Sequence, residues 1–476
     1  MAYKTGNRSQ INMFPTTIEA YVSNDDPVRA YDAFIEAIDF KELEIIVTDN
    51  KVGNSAYNPK SMLKLLVYGY SYGWRSSRKL ERATHHNVSF MWLTGGLKPD
   101  HKTIANFRRN NKKALKNVLK QCARLCIELK LIEGNILFLD GSKIRANASI
   151  NQTNSKESLM KKLKIVEERI DQLLDECDQI DQEETGSLVA MNTELSSKEK
   201  LQNKIKNLMA QMETEDKKKI NATDAQCVNA KGRQGSHASY NAQMVVDEKN
   251  GLIVNTDVVD KSNDMQQFTK QIEQANEILD KQCQTACADA GYSDASDLEK
   301  IVKRGIDVIV PSQKQALHKP KEDNPFSKDK FKYNEGSNTY TCPEGYELKY
   351  AGKIQKKRQK EYKIRNSKNC RECQHFGTCT TAKKGRGIKR LYAEETKKQL
   401  EIHYESKEAQ AIYKKRKEKV ELPFGHIKRN LNGGAFLLRG LEGVNAEMAI
   451  NCTCFNVARM ITLLGGVRPL IATLAR

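Results

Sequence analysis

The spacing of apolar residues predicts a helical segment at the start of the chain. Between residues 26 and 130, apolar residues recur every three or four positions in AYDAFIEAIDF, SMLKLLVYGYSYG and ALKNVLKQCARLCIEL. The stretches between them, RSSRKLERATHHN and GLKPDHKTIANFRRNNKK, combine basic with polar residues, and Thr103 is placed to cap a helix that ends in Arg108 and Arg109. We predict a helical domain over residues 1–130 that could bind phosphate groups, although a solvated helical face explains any one of these bases equally well.

From about residue 135 the spacing changes to that of strands. ILFLD, ASYNAQMVVDE and GLIVNTDVVD are predicted strands, and the Lys-Asn-Gly turn between the last two predicts an antiparallel hairpin. A helix over 264–280, the apolar strand in QTACADAGYSD, a helix over 295–304 and the strand DVIVPS follow. Three strands, a helix, a strand, a helix and a strand is the order of an RNase H-like sheet, so the predicted core is a mixed α/β fold of that kind.

Two long helices are predicted between the first strand and the hairpin. Apolar residues from Leu159 to Ile180 alternate spacings of four and three, and those from Leu201 to Met212 repeat that rhythm after a break. The region of about 152–220 is therefore predicted to be an inserted helical hairpin. A role as a spacer or oligomerisation arm is favoured over a catalytic one.

Two of the predicted strands end on an acid. Asp140 follows the run ILFL, and Asp289 follows QTACA. The ends of neighbouring strands in the predicted sheet bring these two carboxylates together, where they repel unless a cation neutralises them. The two acids therefore predict a site for a hard divalent metal ion at this edge of the sheet.

A third acid is expected from the helix that packs beside the two aspartates. In YKKRKEKVELPFGHIKRN, Glu421 shares one helical face with Phe424 and Lys428, and Glu418 is the rival acid. An interior proline removes a backbone hydrogen bond, so Pro423 predicts that the helix bends or ends just after Glu421.

Composition narrows the choice of partner. The chain has 476 residues, enough for two to four domains, and its 79 Lys and Arg against 60 Asp and Glu give a formal charge of +19. This excess predicts a polyanionic partner. Neither an apolar run long enough to span a membrane nor the apolar core of a secretory signal is found, so a cytosolic location is expected, in which Cys residues stay reduced.

Much of the positive charge lies in a second predicted insertion, residues 313–400. Between residues 351 and 400, sixteen Lys or Arg face four acids, a net charge of +12. The aromatic side chains of Tyr362, His375, Phe376 and Tyr392 lie between these bases and leave room for base stacking. This segment is predicted to bind a nucleic-acid backbone with strong salt dependence.

Four cysteines in the same insertion have the spacing of a zinc site. Cys370, Cys373 and Cys379 lie in NCRECQHFGTC, and YELKYAGKIQKKRQKEYKI reads as a hairpin that could return the chain to Cys342. A four-thiolate zinc site that closes a small domain is one explanation, and free thiols are the other. Four further cysteines lie in apolar helices and are predicted to belong to the core: Cys122, Cys126, Cys452 and Cys454.

Several stretches together resemble the DDE transposases of bacterial insertion sequences. FLDGSKIRANAS, ADAGYSD and VELPFGHIKRN resemble that family's acidic motifs, NPKSMLKLLVYGYSYGWRSSRKLERA and KPDHKTIANFRR its helical domain, and FLLRGLEGVNAEMAINCTCFNVARM its C-terminal end. The resemblance implies an RNase H-like core with Asp140, Asp289 and Glu421 as the catalytic triad. It also implies a division into four parts: helical DNA-binding residues 1–130, core residues 131–312 with the hairpin, the basic insertion 313–400, and core residues 401–476 with the acidic helix.

The family's acidic helix carries the signature Tyr-x2-Arg-x3-Glu-x6-Lys, which this chain meets in two halves. Tyr413 and Arg416 keep their spacing, as do Glu421 and Lys428, but the gap between the halves is one residue too long. Either Arg416 or Lys417 therefore takes the arginine position. With Lys428, that residue is expected to hold DNA phosphates.

The resemblance implies a function and its partners. Two Mg²⁺ (or Mn²⁺) ions held by the triad would serve strand cleavage and strand transfer. The expected partners are double-stranded DNA, both terminal inverted repeats and target, and a second copy of the chain in the DNA complex, and the expected location is the nucleoid. An RNase H-like nuclease without joining activity and a non-catalytic DNA-binding protein are the alternatives. Asp294 is predicted to cap a helix, and no role is assigned to Asp224, Asp247, Asp257 or Asp260.

Overall fold

The computed structural model describes residues 17–45, 57–183, 188–232, 235–317, 324–355 and 358–475. The N-terminal stretch in which no secretory signal is predicted lies largely outside them, as does the side chain of Ile180 at the end of the first long helical repeat. The described residues form a mixed α/β structure with a mixed sheet.

Helices fill the described part of the N-terminal region, as the apolar spacing predicts. They are α1 (Pro27–Ala37), α2 (Pro59–Ser71), α3 (Ser77–His86), α4 (Val88–Leu93), α5 (His101–Asn110) and α6 (Lys112–Glu128). The prediction that Thr103 caps α5 is wrong. Asp100 is the cap, and Thr103 lies inside the helix, where its backbone N–H donates to the Asp100 carboxylate at 2.6 Å. An Asp before the first turn satisfies an N–H that otherwise has no partner in the helix.

A pair of long helices follows the first strand, β1 (Ile136–Arg145). Short strands β2 (Thr153–Ser155) and β3 (Lys219–Asn221) pair at the base of α7 (Lys156–Glu183) and α8 (Leu188–Thr214). The two helices and β3 share a small apolar core of their own: Leu159, Val166, Ile205, Leu208, Met212 and Ile220. This core is separate from the main one, as expected of a hairpin that extends from the rest of the chain.

The main sheet is built around β1. Its other members are β4 (Val228–Gly232), β5 (Gly235–Asp247), β6 (Ile253–Val259), β7 (Thr285–Cys287) and β8 (Asp307–Ile309). β5 pairs antiparallel with β1 and, on its other edge, with β4 and β6, whereas β7 and β8 run parallel to β1. The helices α9 (Phe268–Leu279) and α10 (Ala295–Val302) connect the parallel strands. Asp294 caps α10 as predicted, accepting from the Ser296 N–H at 2.9 Å.

The prediction that β1 ends at Asp140 is wrong. β1 continues to Arg145 and remains paired with β5, from Leu137 opposite Asp247 to Arg145 opposite Ser239. The polar residues after Asp140 stay in the strand because their backbone groups are satisfied by the β5 ladder. The apolar run stops at Asp140 because β7 pairs with β1 only as far as Phe138.

The basic segment forms a sheet of its own. Its strands are β9 (Lys332–Asn334), β10 (Thr339–Thr341), β11 (Glu347–Ile354), β12 (Gln359–Ile364) and β13 (Gly387–Leu391), with the short helix α11 (Lys368–Arg371) before β13. The strands lie in the order β13-β12-β11-β10-β9, and the predicted hairpin is the antiparallel β11–β12 pair. Tyr362 is fully buried in this module, so the prediction that it is free to stack on bases is wrong, whereas Phe376 and Tyr392 are exposed.

The C-terminal region is helical, with α12 (Glu394–Tyr404), α13 (Lys407–Arg429), α14 (Gly440–Leu463) and α15 (Val467–Leu474). Of the two predicted outcomes, a bend or an end after Glu421, the end is wrong, because α13 runs through Pro423, which is buried with Phe424. Burial of these two side chains offsets the lost hydrogen bond. Among the described residues no single helix has the length and apolar composition to cross a membrane. The pair α14 and α15, bent by 103° at its junction, has that length and composition only when the two helices are taken together.

One apolar core joins the N-terminal helices, the main sheet and α14. α14 is buried along most of its length and packs against α2, α6 and β6. The predicted core cysteines Cys122, Cys126, Cys452 and Cys454 lie in it. The helical region is therefore fixed against the sheet that carries the aspartates, and the division of the chain at residue 130 stays a prediction.

Candidate functional site

Asp140 and Asp289 lie side by side where β7 leaves the sheet. The last parallel pair between β1 and β7 joins Phe138 to Cys287, and each aspartate lies two residues further along its chain. Asp289 has left the strand and begins a short 3-10 helix, Ala290–Tyr292, where its Oδ1 accepts the Gly291 N–H at 2.8 Å. The structure thus brings these two predicted site residues together.

The guanidinium of Arg416 lies between the two carboxylates. Its Nη2 is 2.8 Å from Asp140 Oδ1 and 3.5 Å from Asp289 Oδ2. The Arg416 side chain is 11% exposed, against 19% for Asp140 and 42% for Asp289. Of the two bases that the sequence leaves open, Arg416 faces the acids, and Lys417 is exposed on the neighbouring side of α13.

Burial of Asp140 disfavours its charged form unless a positive charge lies beside it. The pKa of Asp140 is raised to about 6, chiefly by burial; Arg416 opposes this rise, and Asp289 and Asp264 contribute to it. Burial also opposes the charge of Arg416, but Asp140 and Asp289 outweigh it and raise the pKa of the guanidinium. Two carboxylates and one buried cation therefore depend on each other for charge balance.

The remaining predicted residues of α13 lie further along the helix. The Nζ of Lys428 donates to Ser142 Oγ at 2.6 Å, two residues beyond Asp140 on β1, and burial lowers the pKa of this lysine. Glu421 and its rival Glu418 are exposed, and across the described parts of the chain Glu421 makes no hydrogen bond or ion pair. The structure therefore does not join Glu421 to the two aspartates.

A polar network beneath the aspartates was missed by the sequence reasoning. Asp264, in the loop between β6 and α9, accepts from Asn241 Nδ2 at 2.7 Å and from Gln243 Nε2 at 2.8 Å. Gln243 in turn accepts the hydroxyl hydrogen of Tyr292. The sequence signal for this network is the glycine after Asp140. A side chain at this position would clash with the network, because a Cβ on Gly141 would lie 2.7 Å from Gln243 Nε2 and 2.9 Å from the Tyr292 hydroxyl.

The paired aspartates fit a divalent cation. Their carboxylates are the hard oxygen ligands that Mg²⁺ prefers, and a positively charged group already lies between them. They do not yet complete a metal site, because in the described ranges no three His, Cys, Asp or Glu side chains converge closely enough to hold an ion.

The four predicted zinc cysteines line one small cavity in the basic module. Cys342, Cys370, Cys373 and Cys379 surround it together with His375. Backbone N–H groups point at two of the sulfurs: that of Tyr346 lies 3.2 Å from Cys342 Sγ, and that of Arg386 lies 3.4 Å from Cys370 Sγ. Burial raises the pKa of the Cys379 thiol, and the other three cysteines raise it further. Within the described ranges these thiols do not form a group that could hold a metal ion, so zinc stays a prediction.

The two arginines at the end of α5 differ in whether they could bind a phosphate. Arg108 is buried and donates to the Arg75 carbonyl at 2.7 Å and the Tyr70 hydroxyl at 3.3 Å, so it is not free to bind DNA. Arg109 is exposed at the end of α5. Of the two bases at the end of that helix, only Arg109 lies on the surface.

Comparison with known proteins places two transposase domains on the chain. A family model described as a transposase domain (DUF772) matches residues 16–110, and one described as a transposase DDE domain matches residues 341–461. No curated protein sequence matches. The cryo-EM structure of the piggyBac transposase synaptic complex with hairpin DNA is 9% identical and matches over 94% of this chain and 80% of that one. Its TM-score of 0.34 is too low to support a statement about the fold.

The two family matches lie on either side of the region that carries Asp140 and Asp289. The first covers helices α1 to α5, and the second covers the cysteine module, α13 and most of α14. Both matches are to transposase domains, and together they support a DDE-type transposase.

Proposed function

We propose that this protein binds the terminal inverted repeats of an insertion sequence, cuts the DNA strands there and joins the freed ends to a target. The observation that carries the proposal is the convergence of Asp140 and Asp289 on one buried cation at the edge of the sheet. In ordinary surface loops, two carboxylates this close would be driven apart by repulsion.

The sheet supports an RNase H-like core. Along the part of β5 that pairs with β6, the strands lie in the order β6-β5-β1-β7-β8, with β5 antiparallel to β1 and with β7 and β8 parallel to it. This is the arrangement expected when three antiparallel strands precede two strands that are each reached through a helix. It puts an acid on the central strand beside an acid that follows the next parallel strand.

Glu421 is proposed as the third acid of the triad. The helix that carries it is held against β1 on both sides of Glu421, by Arg416 on Asp140 and by Lys428 on Ser142. Glu421 lies between these anchors along α13. Since the anchors fix the helix beside the two aspartates, α13 is the element from which a third carboxylate can reach them.

The two aspartates, with Glu421, would hold the Mg²⁺ or Mn²⁺ ions that supply charge stabilisation for the attacking and leaving oxygens of a phosphodiester. The chain's own cations handle the charge that remains. Arg416 neutralises the aspartates. Lys428 reaches from α13 to Ser142, two residues along β1 from Asp140, and a DNA phosphate could replace Ser142 as its partner.

The expected DNA partner is supported by charge. The exposed Lys and Arg of the β9–β13 module, among the sixteen bases between residues 351 and 400, form a strongly basic surface, and Phe376 and Tyr392 are exposed among them. Pairing two ends of one element requires two active sites, so a homodimer in the DNA complex is part of the proposal. Zn²⁺ in the cysteine cavity would stabilise the fold of this basic module.

Cleavage and joining of a labelled duplex that carries the DNA flanking the gene tests the proposal. The wild-type chain with Mg²⁺ should cut and join, and Asp289→Ala should do neither, while Asp294→Ala, which only removes a helix cap five residues away, should keep both activities. Cleavage without joining would instead establish a nuclease. Binding with neither activity, or activity in Asp289→Ala, would refute the proposed site.

A further inference from the structure

We propose that Asp264 is a positioning residue of the acidic site: it fixes Gln243 and Tyr292 beneath Asp140 and Asp289 and so sets the positions of the two carboxylates. This inference rests on the proposed function, because it concerns the same site. No motif of the resemblance includes Asp264, and its part in the site follows from its contacts alone.

Asp264 holds a network that is almost fully buried. Asn241 and Gln243 are 0% exposed and Tyr292 is 1% exposed. Both amides donate to the same oxygen, Asp264 Oδ1, at 2.7 and 2.8 Å, which fixes the Gln243 side chain so that its own oxygen accepts from Tyr292. Buried polar groups that lose their partners are costly, so Asp264 determines the orientation of all three side chains.

The network contacts the backbone next to both catalytic aspartates. On one side, the Cα of Gly141, the residue after Asp140, packs directly on Asp264, Gln243 and Tyr292 and leaves no room for a side chain. On the other side, Tyr292 belongs to the 3-10 helix that Asp289 begins. A Cβ on Gly291 would lie 2.8 Å from Asp289 Oδ1 and 3.4 Å from Asp264 Oδ2, so these two carboxylates border the same residue.

The charge of Asp264 also belongs to the site. Burial raises the pKa of Tyr292, Asp264, Asp140 and Asp289 each raise it further, and Arg416 lowers it, so all three carboxylates act electrostatically on this hydroxyl group. Lys143 Nζ, 3.8 Å from Asp264 Oδ1, is the nearest cation to Asp264 among the described residues. The other oxygen, Asp264 Oδ2, lies on the side of Gly291, the residue whose N–H Asp289 accepts.

Two variants separate the geometry from the charge. Asp264→Ala removes both, whereas Asp264→Asn keeps an oxygen that can accept from Asn241 and Gln243 and removes only the charge. The matched control is Asp260→Asn in the same loop, since the Asp260 side chain is 25% exposed against 22% for Asp264 and pairs with Lys217 and Lys261, away from the network.

The first readout is Mn²⁺ binding, measured by electron paramagnetic resonance on the full chain without DNA. Asp264→Ala should weaken binding about tenfold or more, the usual effect of losing a group that orients metal ligands, Asp264→Asn should weaken it less, and Asp260→Asn should leave it unchanged. The second readout is hydrogen exchange over residues 289–293. Asp289 accepts the Gly291 N–H, and the inference is that the Asp264 network holds Asp289 in place, so exchange should be faster in Asp264→Ala.

Wild-type Mn²⁺ affinity or wild-type exchange in Asp264→Ala would overturn the inference while leaving the proposed function intact. Failure of the wild-type chain to bind Mn²⁺ would refute the proposed function, and the exchange readout would then decide the inference alone. If Asp264→Ala does not fold, Asp264→Asn supplies the same two comparisons, with the affinity loss expected from the charge and unchanged exchange expected from the retained acceptor.

Discussion

A buried ion pair joins the N-terminal helices to α14, and its removal should destabilise the protein strongly. Arg75 Nη1, between α2 and α3, donates to Glu447 Oε1 at 2.7 Å and to the Ala435 carbonyl at 2.8 Å. The Glu447 side chain is fully buried and also accepts from the backbone N–H groups of Leu437 and Leu438, at 2.9 and 3.0 Å. One carboxylate therefore supports the segment between α13 and α14 as well as the arginine.

The contacts set the size of the effect. Glu447→Ala leaves the Arg75 cation, 7% exposed, without its carboxylate, and it leaves two backbone N–H groups without an acceptor. Removing one partner of a buried pair costs about 3–5 kcal/mol, because the other charge stays buried and uncompensated. Glu447→Gln keeps the shape and one acceptor oxygen, so it should cost less than Glu447→Ala.

Urea unfolding followed by circular dichroism measures these free energies. The control is Glu442→Ala on the same helix, since the Glu442 side chain is 80% exposed and its distance to Lys112 is 3.7 Å, and the loss expected there is below about 0.5 kcal/mol. A loss of less than about 1 kcal/mol for Glu447→Ala would refute the reasoning, because it would mean that the pair adds nothing that water cannot replace.

Three further predictions concern the site and the cysteine module. Gly141→Ala should lower stability by about 1–3 kcal/mol in urea unfolding and abolish strand cleavage, because its Cβ would overlap the Asp264–Gln243–Tyr292 network, whereas Gly425→Ala, with open space around it, should lower neither. Burial raises the pKa of Asp140 from 3.8 to about 6, so in EDTA the folded state holds this proton more tightly than the unfolded state, and the group's contribution to stability falls as pH rises from about 4 to about 6. The stability of Asp140→Asn relative to wild type should therefore increase by roughly 1–3 kcal/mol between pH 4 and pH 7, and an equal difference at both would contradict the assigned burial. Purified protein should contain one zinc per chain by elemental analysis and lose it in Cys373→Ser but not in Cys452→Ser, and metal-free wild type would leave the four cysteines as free thiols.

The sequence predicted those parts of the fold that depend on local periodicity. The helices of the N-terminal region and the β5–β6 and β11–β12 hairpins follow from apolar spacing and turn residues. The proximity of Asp140 and Asp289 follows instead from the predicted order of strands and helices in the sheet. The end of β1 was mispredicted because the apolar run records burial, and burial changes at Asp140 where β7 leaves the sheet. The strand itself continues because β5 still supplies backbone partners.

The network under the site could not be predicted for a different reason. Asn241 and Gln243 lie in a buried strand, where their polarity looks like an interruption of the apolar pattern, and Asp264 lies in an ordinary loop. Their meaning depends on contacts with Gly141 and Tyr292, which are distant in sequence. The spacing of apolar residues within a short stretch of sequence carries no information about contacts between distant residues. These contacts become visible only in the packing around Gly141.

The choice between Arg416 and Lys417 shows how packing decides what a motif leaves open. Successive residues of a helix point about 100° apart, so a gap one residue too long changes the face on which a side chain lies. Val420, Phe424 and Ile427 are buried, and this apolar stripe turns Arg416 toward the sheet and Lys417 away from it. The same stripe leaves Glu421, one residue after Val420, exposed. Glu421 nevertheless shares its helical face with Phe424 and Lys428, so the side of α13 that carries it is the side that Lys428 holds to Ser142 on β1.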